Sequence, residues 1–125
     1  MSRPPLRWLG LALVVALLAG CAATGSTGRA SGSVWSRLSA EEKARLAAAR
    51  QDALERNPSG VASLWQGPNG RSRGEVVPLR TTRRADGIFC RDYRETLISA
   101  GREVSRTREA CRSAGGRWER VPSGA

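Results

Sequence analysis

This chain contains the stretch CRDYRETLISAGREVSRTREAC at residues 90–111, which predicts a β-hairpin closed by a disulfide. If Ala100 and Gly101 form a two-residue turn, Cys90 and Cys111 lie directly opposite each other in a non-hydrogen-bonded pair. The Cα atoms of such a pair are about 4.5 Å apart, a separation that a disulfide can span. A three-residue turn with Gly101 in the left-handed region would shift the pairing by one residue and would require a compensating bulge.

Turn signals and alternating apolar residues predict further strands around this hairpin. Asn69-Gly70 and Asp86-Gly87 are dipeptides typical of tight hairpin turns. Pro78 is expected at an edge or a bulge because it cannot donate a ladder hydrogen bond. The two-residue turn also sets Asp92 opposite Glu109, an unfavourable pair unless arginines compensate. The predicted strands are residues 61–66, 74–82, 88–99, 102–112 and 117–121.

A helix precedes the strands. Ser39 and Glu42 have the spacing of a capping box, in which each side chain bonds to the other residue's backbone amide. Residues 40–56 are good helix formers apart from Asp52, and Pro58 ends the helix. The apolar stripe is narrow, so we expect the helix to pack on a sheet. The predicted fold class is α+β: one N-terminal helix followed by a small antiparallel β-sheet, a meander of four or five strands stapled by one disulfide.

The third cysteine ends the motif Leu18-Ala19-Gly20-Cys21. Two arginines and an apolar stretch at residues 9–20 precede it, as in a secretory signal peptide, and the stretch is too short for a membrane-spanning helix. The motif resembles a bacterial lipobox, so we predict removal of residues 1–20 and attachment of lipid to Cys21. The alternative is an ordinary signal peptide with an incidental cysteine. Export also allows the other two cysteines to form a disulfide.

These signals divide the chain into a signal peptide at residues 1–20, a lipidated cysteine with a flexible linker at residues 21–38, and a domain at residues 39–122. Flexibility is expected because residues 22–33 are small, polar and rich in Gly and Ser. Val34 and Trp35 either begin a contact with the domain or lie at the membrane interface, and the sequence leaves both open. Ala22 is not an aspartate, which by resemblance to proteobacterial lipoproteins favours sorting to the outer membrane.

The chain is strongly basic, with 21 Lys and Arg against 11 Asp and Glu and a formal charge of +10. Loss of Arg3 and Arg7 with the signal peptide leaves +8 on the side chains. Because an exported protein does not meet nucleic acid, we expect an envelope protein, peptidoglycan or an anionic lipid as partner. The alternative is that the arginines only form a solvated surface and bind no partner. The chain has no histidine, the usual acid–base group and metal ligand, and we predict no catalytic residue, metal or cofactor.

One pattern of residues extends over residues 40–121: Ala53-Leu54-Glu55, Asn57-Pro58-Ser59-Gly60, Trp65, Asn69-Gly70, Gly74, Val76, Pro78, Cys90-Arg91-Asp92-Tyr93, Gly101, Cys111 and Trp118. It resembles the C-terminal domain of the 17 kDa surface antigen family, which are outer-membrane lipoproteins of proteobacteria. The resemblance implies a lipoprotein without an established enzymatic activity. Rickettsial members carry a glycine-zipper segment before this domain. Here only Gly25, Gly28 and Gly32 stand among polar residues, so the resemblance does not extend to the zipper.

We therefore predict a lipid-anchored outer-membrane protein, on the periplasmic face or the cell surface, that binds or structures the envelope without catalysis. Trp65 and Trp118 are expected in the core. The alternative is a periplasmic accessory or inhibitor of the wall or envelope machinery, and behind it a wall-active enzyme. The predicted contact surface is an exposed Tyr93 with Arg91, Arg94, Arg106 and Arg108. An enzyme would draw its acids from Asp86, Asp92, Glu95, Glu103 and Glu109, none of which the sequence pairs.

Overall fold

The computed structural model describes residues 34–122; the predicted signal peptide, the lipidation site and residues 22–33 lie outside this range. Within this range a helix precedes five strands, which form one antiparallel sheet in the same order as they follow in the chain. This arrangement confirms the predicted α+β class and the meander. No helix within the described range is long and apolar enough to cross a bilayer. The elements are α1 (Ala40–Arg56), β1 (Ser63–Gln66), β2 (Ser72–Arg83), β3 (Phe89–Ser99), β4 (Arg102–Arg112) and β5 (Trp118–Arg120).

The capping box forms as predicted at the start of α1. The Ser39 amide donates to Glu42 Oε2 at 2.7 Å, and the Glu42 amide donates to Ser39 Oγ at 3.1 Å. These bonds satisfy two backbone amides that the first helical turn leaves without partners. They also lower the pKa of Glu42, chiefly through the bond from the Ser39 backbone. The helix ends where Asn57 adopts an extended conformation before Pro58.

The β3–β4 hairpin has the two-residue turn. Ala100 and Gly101 both have positive φ, 50° and 72°, as a primed hairpin turn requires. Cys90 therefore lies opposite Cys111, and the two form a disulfide with their Cα atoms 4.0 Å apart. The register derived from the sequence is confirmed, and the three-residue turn is not adopted.

The β1–β2 region departs from the predicted boundaries. The Val61 amide donates to the Pro58 carbonyl at 3.1 Å, so residues 58–61 form a turn and β1 begins only at Ser63. The pairing of β2 with β3 shifts between Pro78 and Thr81, and β1 pairs with β2 only as far as Val76. Pro78 thus lies at an irregularity beyond the end of β1, where its missing amide is tolerated.

The core lies between α1 and one face of the sheet, which we call the helix face. Trp65 and Trp118 are buried in it, as predicted. Val34, Trp35 and Leu38 also belong to the core, so of the two alternatives that the sequence left open for Val34 and Trp35, the contact with the domain is the one observed. The buried cluster comprises Val34, Trp35, Leu38, Leu46, Ala49, Ala53, Leu54, Trp65, Val76, Tyr93, Leu97, Ala110 and Trp118.

Candidate functional site

A fully buried carboxylate, Glu95 of β3, lies at the centre of the helix face with 0 % of its surface exposed. Arg50 of α1 donates from Nε to Glu95 Oε1 at 2.6 Å, and its Nη2 lies 2.6 Å from the same oxygen. Arg106 of β4 donates from Nε to Oε2 at 2.7 Å. A buried charge is tolerated only when it is paired and hydrogen-bonded. Glu95 therefore fixes two guanidinium groups, one from the helix and one from the neighbouring strand.

Trp35 covers one of these guanidinium groups. The guanidinium carbon of Arg106 lies 3.7 Å from the centre of the Trp35 ring, a cation–π contact. Burial lowers the pKa of Arg106, and the charge of Glu95 opposes this effect. On the other side, the Arg50 guanidinium lies 5.9 Å from the centre of the Tyr93 ring. Each guanidinium is thus held by a carboxylate and an aromatic ring.

These residues open into a cleft of about 670 Å³ between residues 35–38, α1 and the end of the sheet formed by β4 and β5. We call it the arginine cleft. Within residues 34–122, its lining contains five cationic side chains and no carboxylate. A concave surface lined by one sign of charge concentrates ions of the opposite sign, so the arrangement is suited to binding an anion. The lining is Trp35, Ser36, Leu38, Lys43, Leu46, Arg50, Ser105, Arg106, Arg108 and Arg120.

The residues of the predicted contact surface do not lie together on one exposed face in the structure. The expected exposure of Tyr93 is wrong: its side chain is 0 % exposed on the helix face, where burial raises the pKa of its hydroxyl. Arg91 is 8 % exposed, and its Nη1 donates to the carbonyls of Leu54 and Asn57 at 2.7 and 2.9 Å. Arg91 therefore caps the C-terminus of α1, where a cation is favourable. Neither residue offers a contact surface.

The other three predicted residues lie on different faces of the sheet, because side chains alternate along a strand. Arg106 and Arg108 point to the helix face and line the cleft, whereas Arg94 follows Tyr93 and is exposed on the opposite face. Lys43, Arg50 and Arg120 also line the cleft and were not predicted from the sequence as members of the site. Arg50 carried a usable signal, since it lies one turn after Leu46 on the apolar stripe of α1. Lys43 and Arg120 carried none, because only the tertiary fold brings them to the cleft.

The candidate acids do not assemble into one site in the described residues. Glu95 is buried and ion-paired. Asp92 and Glu109 are cross-strand neighbours as predicted, and Asp92 is compensated by Arg80, with Arg80 Nη2 3.1 Å from its Oδ2. Asp86 bridges to Arg84 at 3.1 Å in the β2–β3 turn. No group of three metal-ligating side chains occurs in residues 34–122.

Comparison with known proteins identifies what the chain is similar to. The family described as "17 kDa outer membrane surface antigen" matches residues 52–119. The "17 kDa surface antigen" of Rickettsia felis is 37 % identical over 82 residues, 65 % of this chain and 52 % of that protein. The protein of the same name from Rickettsia prowazekii is 35 % identical over 81 residues, 65 % of this chain and 51 % of the relative. The chain thus spans about half the length of these relatives. No solved structure matches it.

Proposed function

Because this chain belongs to the 17 kDa outer membrane surface antigen family, we propose that it is a non-catalytic module of the bacterial outer membrane, anchored by lipid on Cys21, that binds an anionic envelope component in the arginine cleft. The observation that carries the binding role is the convergence of five cationic side chains on one cleft, to whose lining the described residues 34–122 contribute no carboxylate. Like charges are brought together at such a site only against their mutual repulsion, and a bound anion relieves it.

The anchor is supported by the sequence. Leu18-Ala19-Gly20-Cys21 closes an apolar stretch of secretory length, and the family that the chain matches is described as an outer membrane surface antigen. The thiol of Cys21 supplies the sulfur for a thioether to a diacylglycerol. Two acyl chains give stable membrane attachment, whereas one binds only marginally.

Fractionation of cells tests the anchor. The wild-type chain is expected in the outer-membrane fraction and in the detergent phase of a two-phase extraction. The Cys21→Ser chain is expected to leave the detergent phase. Partitioning of the Cys21→Ser chain that matches the wild type would overturn the lipid anchor.

Retention of the purified chain on immobilised envelope polyanions tests the binding role. Lys43→Gln/Arg120→Gln removes two cleft cations that are exposed and is expected to weaken retention. Arg73→Gln/Arg94→Gln removes the same charge from exposed positions outside the cleft and is the matched control. Equal loss in both variants would mean that overall charge, and not the cleft, causes retention.

Crosslinking in native membranes separates this proposal from an accessory or inhibitor role. Binding to a non-protein envelope anion predicts crosslinks that depend on lipid or wall material. A stoichiometric protein partner, lost when the cleft cations are replaced, would favour the accessory role instead.

A further inference from the structure

The contact with Glu95 leaves part of each guanidinium unused. Arg50 contacts Glu95 through Nε and Nη2, and Arg106 contacts it through Nε. Nη1 of Arg50 and both Nη groups of Arg106 take no part in that contact. Both residues line the cleft, with 18 % and 21 % of their side chains exposed. The two arginines thus combine a fixed position with donor groups that the contact with Glu95 does not use.

Fixing the guanidiniums prepares them for an oxyanion. A free arginine side chain loses rotamer freedom when it binds a ligand, and a side chain already held in place loses much less. Planar guanidinium groups match the oxygens of a phosphate or carboxylate through paired N–H donors. Glu95 therefore acts as a positioning residue: it orients the donors from beneath and is itself inaccessible.

The balance of charge and the shape of the cleft select among oxyanions. Five cationic side chains line the cleft, and only two of them, Arg50 and Arg106, pair with the buried carboxylate of Glu95. The cations of the cleft therefore outnumber that carboxylate. A phosphate monoester carries up to two negative charges and three acceptor oxygens on one atom, more than a single carboxylate. The cleft of about 670 Å³ has room for a larger molecule than phosphate, and Trp35, Leu38 and Leu46 give it an apolar wall.

We propose that the arginine cleft is a phosphate-binding site, in which Arg50 and Arg106 hold the oxyanion while Lys43, Arg108 and Arg120 neutralise the rest of its charge. This inference rests on the proposed function and specifies the anion. The phosphate belongs to an amphiphilic molecule, whose carbon skeleton lies against Trp35 and Leu38.

The position of the cleft favours a lipid headgroup as the source of that phosphate. Trp35, which forms a cleft wall, follows Cys21 by fourteen residues. Covalent geometry limits that span to about 50 Å at full extension. With lipid on Cys21, the cleft stays close to the headgroups of the anchoring membrane, and this raises their effective concentration. Free phosphate is the other source of the same chemistry.

The test is isothermal titration of the lipidated full chain in detergent with three water-soluble probes. These are dihexanoyl phosphatidic acid, inorganic phosphate and succinate, which is a dianion without phosphorus. We expect dihexanoyl phosphatidic acid to bind at least about tenfold more tightly than succinate, a difference of about 1.4 kcal/mol. Equal binding of these two probes would overturn the phosphate site.

Variants assign the binding to the cleft. Replacing Arg50 or Arg106 removes one of the two partners of the buried Glu95 carboxylate and risks misfolding, so Lys43→Gln/Arg120→Gln is used. This variant is expected to weaken the binding of dihexanoyl phosphatidic acid at least about tenfold, because it loses two charge contacts. Arg73→Gln/Arg94→Gln is expected to bind within about twofold of the wild type. Equal weakening in both variants would overturn the assignment to the cleft.

The titration with inorganic phosphate distinguishes a lipid headgroup from free phosphate as the source of the bound phosphate. Weaker binding of inorganic phosphate than of dihexanoyl phosphatidic acid supports the headgroup. Equal binding keeps the phosphate site and overturns the headgroup. Failure of this inference is distinguishable from failure of the proposed function. Cleft-dependent retention on a carboxylate polymer, with no phosphate probe bound, overturns the phosphate site alone.

Discussion

The guanidinium carbon of Arg106 lies 3.7 Å from the centre of the Trp35 ring. This contact joins the segment that leads to the predicted lipid anchor to the centre of the sheet, since Arg106 also donates to the buried carboxylate of Glu95. Trp35 therefore lies both at the end of the predicted linker and in the wall of the arginine cleft. A change in one is expected to alter the other.

Truncation of Trp35 tests this relationship. Trp35→Ala removes a buried ring and its cation–π contact, and is expected to lower the free energy of unfolding by about 3–5 kcal/mol. Trp35→Phe keeps an aromatic ring, so its free energy of unfolding should fall by clearly less. Urea denaturation followed by circular dichroism measures both. A loss below about 1 kcal/mol for Trp35→Ala would mean that residues 34–38 do not belong to the folded unit.

Glu95 provides a second prediction. Glu95→Gln leaves two guanidiniums facing a neutral side chain in a buried position, so it is expected to destabilise the fold by about 3–5 kcal/mol. The triple variant Arg50→Met/Glu95→Leu/Arg106→Met replaces the whole ion cluster with apolar groups and is expected to regain most of that stability. It should still lose anion binding. A triple variant that folds and binds as the wild type does would contradict the role given to the cluster.

The disulfide is expected to stabilise the domain by about 3 kcal/mol, given the 21-residue separation of its cysteines and the loss of loop entropy in the unfolded chain. Denaturation of the wild type with and without reductant measures this contribution. Cys90→Ala/Cys111→Ala should match the reduced wild type and should not respond to reductant. Non-reducing mass analysis should find the wild type lighter than its dithiol by two hydrogens, and an unchanged mass after reduction would refute the bond.

Gly74 lies where two strands and a tryptophan meet. A Cβ at this position would overlap the Thr96 carbonyl oxygen and would lie 2.9 Å from Trp65 Nε1. Because backbone cannot yield as a flexible side chain does, Gly74→Ala is expected to destabilise the fold by about 3 kcal/mol or more. Gly115→Ala is the control, since its Cβ would meet only Ser113 Oγ at 3.9 Å. Similar unfolding midpoints for both variants would contradict the close packing of β2 against β3.

The free energy of unfolding is expected to fall at acid pH, because two carboxylates of α1 become protonated. Bonds from Arg112 and Trp118 lower the pKa of Glu55, and the Ser39 backbone lowers that of Glu42. A lowered folded-state pKa contributes stability that is present above the ordinary value of 4.5 and is lost as pH falls through the lowered value. Urea midpoints measured from pH 6 down to about 3 should decline less in Glu42→Gln/Glu55→Gln than in the wild type. Parallel curves would refute this assignment.

Local rules in the sequence were sufficient for the elements and their order. Ser39 and Glu42 determine where α1 begins, because each satisfies the other's amide within one turn. Ala100-Gly101 determines the β3–β4 register, because a two-residue turn fixes every cross-strand pair at once. The first strand was placed less well, since Val61 bonds back to Pro58 in a turn that its apolar character does not reveal.

The candidate site depended on contacts between distant residues, which no local pattern specifies. From the sequence, Glu95 is one of five equivalent acids and Tyr93 is an exposed aromatic. In the fold, α1 covers the face to which both point, and burial then requires partners for the Glu95 carboxylate.

By itself, the sequence determined the helix, the meander, the hairpin register and the Cys90–Cys111 pairing, because these depend on caps, turns and alternation over short distances. It also carries the motif at Cys21. Only the tertiary structure decided that Trp35 belongs to the domain and that Arg50, Arg106 and Arg120 meet in one cleft. The reason is that burial of charge is settled by which faces pack together, and that packing joins residues far apart in the chain.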